Sequence, residues 1–194
     1  MPEKLKRIVL TGGPSGGKTT ALAIVSETFG ASVEVVKEAA TLIYSGGFPR
    51  RDNSREHVFS AQRIIFFVTK ELEALAERTA NERAKLIVCD RGILDGAVYW
   101  PDGADDFFKQ MNTTKEAELA RYDLVIHVSP PGREELYHAT NVRTEDLKTA
   151  LEVDERVLKV WSGHPNRIVV DKNATYFEKA KIIKDIINDL IKKS

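Results

Sequence analysis

Residues 12–19 carry the feature that most constrains this chain, a glycine-rich segment reading Gly-Gly-Pro-Ser-Gly-Gly-Lys-Thr. The segment matches the pattern G-x-x-x-x-G-K-[ST] in full. It follows a short apolar run at 7–11 that predicts a buried strand, and helical spacing over 19–29 predicts a helix after it. A loop in this context binds phosphate, because its backbone N–H groups and the helix N-terminus both attract anions.

The residue types within this P-loop predict how it would hold a nucleotide. We expect Lys18 to project into a water-filled site and reach the β- and γ-phosphates, and the Thr19 hydroxyl to join the shell of a Mg²⁺ ion. The predicted cofactors are therefore ATP and Mg²⁺. The predicted nucleotide-binding residues are Gly12, Gly13, Pro14, Ser15, Gly16, Gly17, Lys18, Thr19 and Thr20.

The rest of the chain alternates short apolar runs with helical patterns. Further strands are predicted at 33–37, 86–89, 124–128 and 167–170. This alternation predicts an α/β fold, a five-stranded parallel sheet with helices on both faces. The 194 residues suit a single domain, with a lid segment near 132–145.

The longest helical pattern spans 54–83 and carries an apolar stripe. We expect the stripe to face the core. Its residues are Ala61, Ile65, Val68, Leu72 and Leu75.

Charge and cysteine content disfavour several kinds of partner and location. Lys plus Arg number 29 and Asp plus Glu number 29, so no net charge attracts nucleic acid. The longest apolar run, 64–68, is far too short to span a membrane, and the start shows no signal peptide. The single cysteine, Cys89, lies in an apolar run and fits a cytoplasmic protein. The histidines show no metal-ligand spacing, so we expect no structural zinc, and the oligomeric state stays open.

This sequence lacks the signatures of two classes of P-loop protein. A guanine-specific GTPase needs N-K-x-D after the fourth strand, whereas 171–174 read Asp-Lys-Asn-Ala. Hydrolysing transporters and AAA machines usually place Glu after the Asp that ends the third strand, whereas Arg91 follows Asp90 here.

The Asp90-Arg91 pair is typical of small-molecule kinases. Asp90 would hold Mg²⁺ or accept a proton from an attacking hydroxyl, and Arg91 would neutralise charge on the transferred group. The alternative is that Asp90 caps the next helix while Arg91 is solvated.

The order of several segments along the chain resembles the NadR-like AAA domains. The segments are 11–20, 36–40, Gln62, 90–92 and 122–124. That family includes the nicotinamide riboside kinase domain of NadR regulators and a nucleotide-binding domain of a eukaryotic channel-trafficking protein. The Asp-Arg pair is also similar to the signature of thymidylate and deoxynucleoside kinases. The resemblance implies a nucleoside- or nucleotide-kinase-like fold that uses ATP.

This sequence departs from the pattern of these kinases at two positions. Ser15 stands where many nucleotide kinases have Gly, and Thr41 stands where Arg is expected.

Ligands of doubly wound sheets gather at the carboxyl ends of the strands, which suggests residues for binding a second substrate. We predict Glu38, Arg51 and Gln62 as substrate contacts, with the Gln62 amide reading a base or carboxamide edge. Each has a simpler alternative. Glu38 is also favoured at a helix start by the dipole, Arg51 could be merely solvated, and Gln62 could be an ordinary helix residue.

An arginine after the fourth strand could close on the phosphates as part of the lid. Arg143 is the preferred candidate, Arg133 is the second, and a salt bridge with Glu145 or Asp146 is the alternative. Asp95 is predicted to cap the helix after 92, with a substrate role as the minor alternative.

The resulting hypothesis is a kinase that moves the γ-phosphoryl of ATP to a nucleoside-like metabolite, with Lys18, Asp90, Arg91 and Arg143 as catalytic residues. The rival is a nucleotide-binding regulatory ATPase that hydrolyses slowly and has no small-molecule acceptor.

Overall fold

The computed structural model describes residues 5–50, 54–131 and 147–194. Five short strands form one parallel sheet in the order β2-β3-β1-β4-β5. Their bounds are β1 Lys6–Thr11, β2 Val33–Val36, β3 Leu86–Asp90, β4 Leu124–Val128 and β5 Arg167–Val170. The predicted five-stranded parallel sheet is confirmed, and each observed strand differs from its predicted bounds by at most one residue.

Eight α-helices are described. They are α1 Lys18–Phe29, α2 Ala39–Ser45, α3 Arg55–Thr79, α4 Ile93–Tyr99, α5 Gly103–Gln110, α6 Lys115–Leu119, α7 Leu147–Val160 and α8 Tyr176–Lys192. A 3₁₀ turn, Gly30–Ser32, follows α1. The start of α8 is fixed by a capping box in which the Thr175 hydroxyl and the Glu178 carboxylate each accept a backbone N–H of the other residue. None of the helices described is long and apolar enough to cross a membrane.

The helices cover both faces of the sheet, which explains why the strands are apolar nearly throughout. Side chains alternate along a strand, so Ile8 and Leu10 pack with α1 and α8, whereas Val9 packs with α3, α4, α5 and α7. Burial on both faces also encloses the single cysteine, Cys89, and raises the pKa of its thiol.

The prediction for the buried face of α3 is wrong by about one residue. Ala61 is buried as expected, but Leu75 is 47% exposed. The buried positions are Ala61, Gln62, Phe66, Thr69, Glu73 and Ala76. The helix turns a carboxylate inward because Arg7, Arg121 and Tyr122 are in place to bind Glu73.

Candidate functional site

The P-loop rests on the end of β4, and this contact explains its glycines. A Cβ added at Gly12 or at Gly16 would lie only 2.3 Å from the backbone oxygen of Val128. Gly17 has φ of 89° and caps α1, a conformation that favours glycine. Ser15, which departs from the kinase pattern, also has positive φ, at 59°.

The loop presents backbone donors where α1 begins. Within the described part of the chain, no hydrogen bond is made by the N–H groups of Ser15, Gly16 or Gly17. These donors lie at the N-terminus of α1, where the positive end of the helix dipole attracts anions. The arrangement suits a phosphate group.

Lys18 lies closer to the loop than expected. Its side chain is buried rather than extended into water, and its Nζ donates to the oxygens of Gly12 at 3.0 Å and Gly13 at 2.6 Å. The ammonium group therefore holds the two loop carbonyls together. To reach phosphates as the sequence predicts, it would have to exchange these carbonyls for phosphate oxygens.

Thr19 and Asp90 meet beside the loop. Parallel pairing aligns Asp90, the last residue of β3, with Leu10 of β1, and the Thr19 hydroxyl donates to Asp90 Oδ2 at 2.9 Å. Hydroxyl and carboxylate oxygens are ligands that suit Mg²⁺. No group of three or more His, Cys, Asp or Glu side chains that could hold a metal occurs among the described residues. Mg²⁺ would therefore be held by Thr19 and Asp90 together with phosphate oxygens and water.

The environment of Asp90 favours proton binding. Burial is the main cause that raises the pKa of this carboxyl, and the negative charge of Glu38 adds to it. Lys18, Thr19 and Arg91 act in the opposite direction without reversing the shift. Asp90 is thus a stronger base than a solvated aspartate.

Arg91 takes a conformation unusual for a residue other than glycine, with φ of 69°. Its Nε donates to Glu38 Oε1 at 2.5 Å, and its Nη1 donates to Asp95 Oδ2 at 3.0 Å and to the Gly12 oxygen at 3.2 Å. Burial would lower the pKa of Arg91, but Tyr99, Glu38 and Asp95 outweigh it and raise the pKa, so the guanidinium stays charged. A cation is thereby fixed against the loop.

Glu38 stands between β2 and α2 and joins this group of charges. Burial raises the pKa of Glu38, but Arg91 and a hydrogen bond from the Thr41 hydroxyl lower it by more than burial raises it, so the net shift is downward. Glu38 therefore stays ionised beside the guanidinium. Thr41, the second departure from the kinase pattern, serves here as a partner of Glu38.

The prediction that Asp95 caps a helix is wrong. Residue 92 is the N-cap of α4, and Asp95 lies buried in the first turn. Its Oδ1 accepts from the Thr11 hydroxyl at 2.6 Å and from Trp161 Nε1 at 2.7 Å, while Oδ2 binds Arg91. Asp95 pairs with Arg91 four residues before it, and donors from two distant segments, Thr11 and Trp161, fix the carboxylate in place.

Gln62 lies where α3 packs on α4. Its side chain is buried, and its Oε1 would be 3.2 Å from a Cβ added at Gly96. The amide of Gln62 therefore lies against residue 96 of α4, which directly follows Asp95. It makes no hydrogen bond with Glu38 or Arg91.

Three predicted site residues, Arg51, Arg133 and Arg143, lie outside the described residues, as does the predicted lid segment near 132–145. Arg50, next to the first of them, is described. Its guanidinium lies over the Tyr44 ring, 4.3 Å from the ring centre.

Two residues that contact the loop, Asp154 and Tyr176, were missed by sequence reasoning. Asp154 accepts the Gly13 N–H at 2.6 Å, and the Tyr176 hydroxyl donates to the Ser15 oxygen at 3.1 Å. The capping box identifies Tyr176 as the first residue of α8, but not its contact. Asp154 has no local signal, because it meets the loop 141 residues along the chain.

Comparison with known proteins agrees with this geometry. No curated protein matches the chain significantly. The family described as "AAA domain" matches residues 7–179, nearly the whole described sheet and its helices. Together with the P-loop and the parallel sheet, this match shows that the chain belongs to the AAA domain family of P-loop NTPases.

Proposed function

We propose that this protein is an ATP- and Mg²⁺-dependent small-molecule kinase that moves the γ-phosphoryl group to a nucleoside-like acceptor. The observation that carries the proposal is the placement of Arg91. Where hydrolytic P-loop proteins usually have Glu after the strand-end Asp, a charged guanidinium is held against the Gly12 oxygen by Glu38 and Asp95.

The groups around the loop suit transfer to a hydroxyl. The acceptor oxygen would bond to the γ-phosphorus while the bond to the bridging oxygen of ADP breaks. Asp90 would contact Mg²⁺ through water and take the hydroxyl proton, and its raised pKa supports the second role. Mg²⁺ would neutralise charge on the β- and γ-phosphate oxygens. Arg91 and Lys18 would stabilise charge on the transferring group.

The acceptor is proposed to lie on the side of the loop where β2 ends and where α3 and α4 begin. Glu38 lies at the end of β2, and Gln62 packs over α4 close to Asp95. A carboxylate and an amide could bind a ribose hydroxyl and a base or carboxamide edge. Arg51 and Arg143 remain proposed contacts on the basis of the sequence alone.

The test is acceptor-stimulated ADP release. A thermal-shift screen of nucleosides and related vitamins, with a non-hydrolysable ATP analogue and Mg²⁺, first identifies the ligand that stabilises the ternary complex most. We expect that ligand to stimulate ADP release by the wild type. Stimulation should be lost in Arg143→Ala and kept in Lys181→Ala, whose ion pair with Asp185 is exposed on α8.

The same measurement separates the kinase from the regulatory ATPase. Basal ADP release that no ligand stimulates and that Arg143→Ala leaves unchanged would overturn the proposal in favour of the regulator. Mass spectrometry of the acceptor after turnover checks the product, because a kinase adds one phosphoryl group to it.

A further inference from the structure

The backbone N–H group of Gly13, the second residue of the P-loop, is engaged differently from those of Ser15, Gly16 and Gly17. The N–H groups of Ser15, Gly16 and Gly17 make no hydrogen bond within the described residues, whereas the Gly13 N–H donates to Asp154 Oδ1 at 2.6 Å. The Asp154 carboxylate thus occupies one donor of an anion-binding loop before any nucleotide is present.

The contact requires glycine at this position. A Cβ added at Gly13 would lie 2.8 Å from Asp154 Cβ and 2.9 Å from the Ala150 oxygen. Helix α7 therefore packs directly on the loop backbone. The Gly13 carbonyl on the other side of the residue accepts from Lys18 at 2.6 Å, so both polar groups of Gly13 are engaged.

Asp154 is itself held firmly. Its Oδ1 also pairs with Nε2 of the fully buried His127 at 2.8 Å, and since an ionised carboxylate only accepts, His127 is the donor. Burial raises the pKa of Asp154, but His127, Gly13 and a hydrogen bond from Ser129 outweigh it and lower the pKa. The carboxylate is therefore ionised and bonded to groups from the P-loop, β4 and the segment after β4.

We propose that Asp154 is a positioning residue that holds the P-loop ready for phosphate by binding the Gly13 N–H. When Lys18 leaves the loop carbonyls for the phosphates, the hydrogen bond from the Gly13 N–H to Asp154 remains and keeps Gly13 in place. The anchor lowers the cost of ordering the loop on binding. This inference needs only nucleotide binding, and it holds whether or not the protein is a kinase.

The test is direct calorimetric titration of a non-hydrolysable ATP analogue with Mg²⁺, without acceptor. Asp154→Ala should weaken binding by about tenfold or more, the scale expected for loss of a charge-assisted hydrogen bond. Asp154→Asn keeps an oxygen that can accept from Gly13 and should restore most of the affinity.

The matched control is Val153→Ala on the same helix. Val153 is buried in the core cluster on the α7 face of the sheet and its removal leaves a cavity, so this variant should lower the melting temperature while affinity stays within about twofold of the wild type. The proposal is overturned if Asp154→Ala binds within about twofold of the wild type, or if Val153→Ala weakens binding as much.

A second measurement needs no variant. In the nucleotide-free wild type, the Gly13 amide should exchange with solvent at least about a hundredfold more slowly than the Gly16 and Gly17 amides. Addition of the analogue should then slow Gly16 and Gly17 while changing Gly13 little. Fast exchange at Gly13 before the analogue is added would overturn the proposal, even if Asp154→Ala failed to fold.

Discussion

Two clusters of buried charge lie at opposite ends of the sheet, and they differ in charge balance. The loop-side cluster comprises Lys18, Glu38, Asp90, Arg91 and Asp95, with two cations for three carboxylates. The amino-end cluster comprises Arg7, Lys70, Glu73, Glu77, Glu118, Arg121 and Tyr122, with three cations for three carboxylates. The loop-side excess of negative charge suits a site that takes up a metal ion.

The clusters also differ in backbone conformation, and the loop-side cluster contains a carboxyl group whose pKa is raised. Glu73 is fully buried, and it accepts from Arg7 at 2.8 Å, Arg121 at 2.5 Å and the Tyr122 hydroxyl at 2.7 Å. At the loop, Arg91 carries an unusual backbone conformation and Asp90 a raised pKa. The comparison teaches that buried charge alone does not mark a site, whereas imbalance and strain beside a binding loop do.

The largest effect should come from breaking the amino-end cluster. Glu73→Ala leaves Arg7 and Arg121 without their buried partner, so we expect it to lower the free energy of unfolding by about 3–5 kcal/mol, measured by urea denaturation. Glu77→Ala is the control, because Glu77 is one-third exposed and pairs, among the described residues, with Arg7 alone, so its loss should cost less than about 1 kcal/mol. A Glu73→Ala protein of normal stability but weakened nucleotide binding would reverse the assignment of the two clusters.

Lys18→Ala should abolish phosphoryl transfer, with a loss of more than about a hundredfold in ADP release, because the variant lacks the ammonium group proposed to bind the β- and γ-phosphates. Stability should fall much less than in Glu73→Ala, because Lys18 donates to carbonyl oxygens of the loop, whereas Glu73→Ala leaves Arg7 and Arg121 without their buried carboxylate. Lys70→Ala at the amino end is the matched control and should keep full turnover. A Lys18→Ala rate within about tenfold of the wild type would refute the assigned role of the P-loop lysine.

Asp90→Asn should lower turnover by about a hundredfold while nucleotide binding persists, the scale of a lost general base or metal contact. Calorimetry with the ATP analogue and a turnover assay together separate the two effects. Glu118→Gln, a buried carboxyl in the amino-end cluster, should leave turnover unchanged. The structure already excludes Asp90 as the cap of α4, whose N-cap is residue 92. Normal turnover with a lower melting temperature in Asp90→Asn would instead show that Asp90 only supports the fold, through its hydrogen bond with Thr19.

The smallest effect is a pH dependence of stability within the loop-side cluster. The folded-state pKa of Asp90 is raised, so its stabilising contribution is complete below its ordinary range and is lost as pH rises through the folded value. Asp90→Asn lacks this loss. The melting temperature of the variant should therefore rise relative to that of the wild type as pH rises through the folded-state pKa. Above that pH, the difference between the two should stay constant.

In Glu38→Gln, the melting temperature relative to the wild type should change with pH in the opposite direction. The folded-state pKa of Glu38 is lowered, so its contribution is present above the ordinary range and lost as pH falls through the folded value. The variant should be less stable than the wild type at neutral pH, and the difference should shrink in acid. Parallel melting curves for both variants across the pH range would show that neither carboxyl is perturbed.

Much of the fold and the centre of the site were predictable because their signals are local. Each strand is a short apolar run ended by a turn, and this pattern located all five strands to within one residue. The P-loop motif needs only adjacent residues, since the glycines let its backbone approach β4 and the lysine follows at a fixed spacing. Sequence alone therefore determined the fold class and the phosphate-binding loop.

The partners of these residues were decided only by the tertiary structure. The face of α3 that is buried depends on Arg7, Arg121 and Tyr122 being present to bind Glu73, which apolar periodicity cannot register. Asp95 and Asp154 look like ordinary helix carboxylates in the sequence. Asp95 stands only four residues from Arg91, but packing is what brings Thr11 and Trp161 onto its carboxylate. Asp154 supports Gly13 because packing brings the P-loop to it, and contacts between distant segments leave no local trace in the chain.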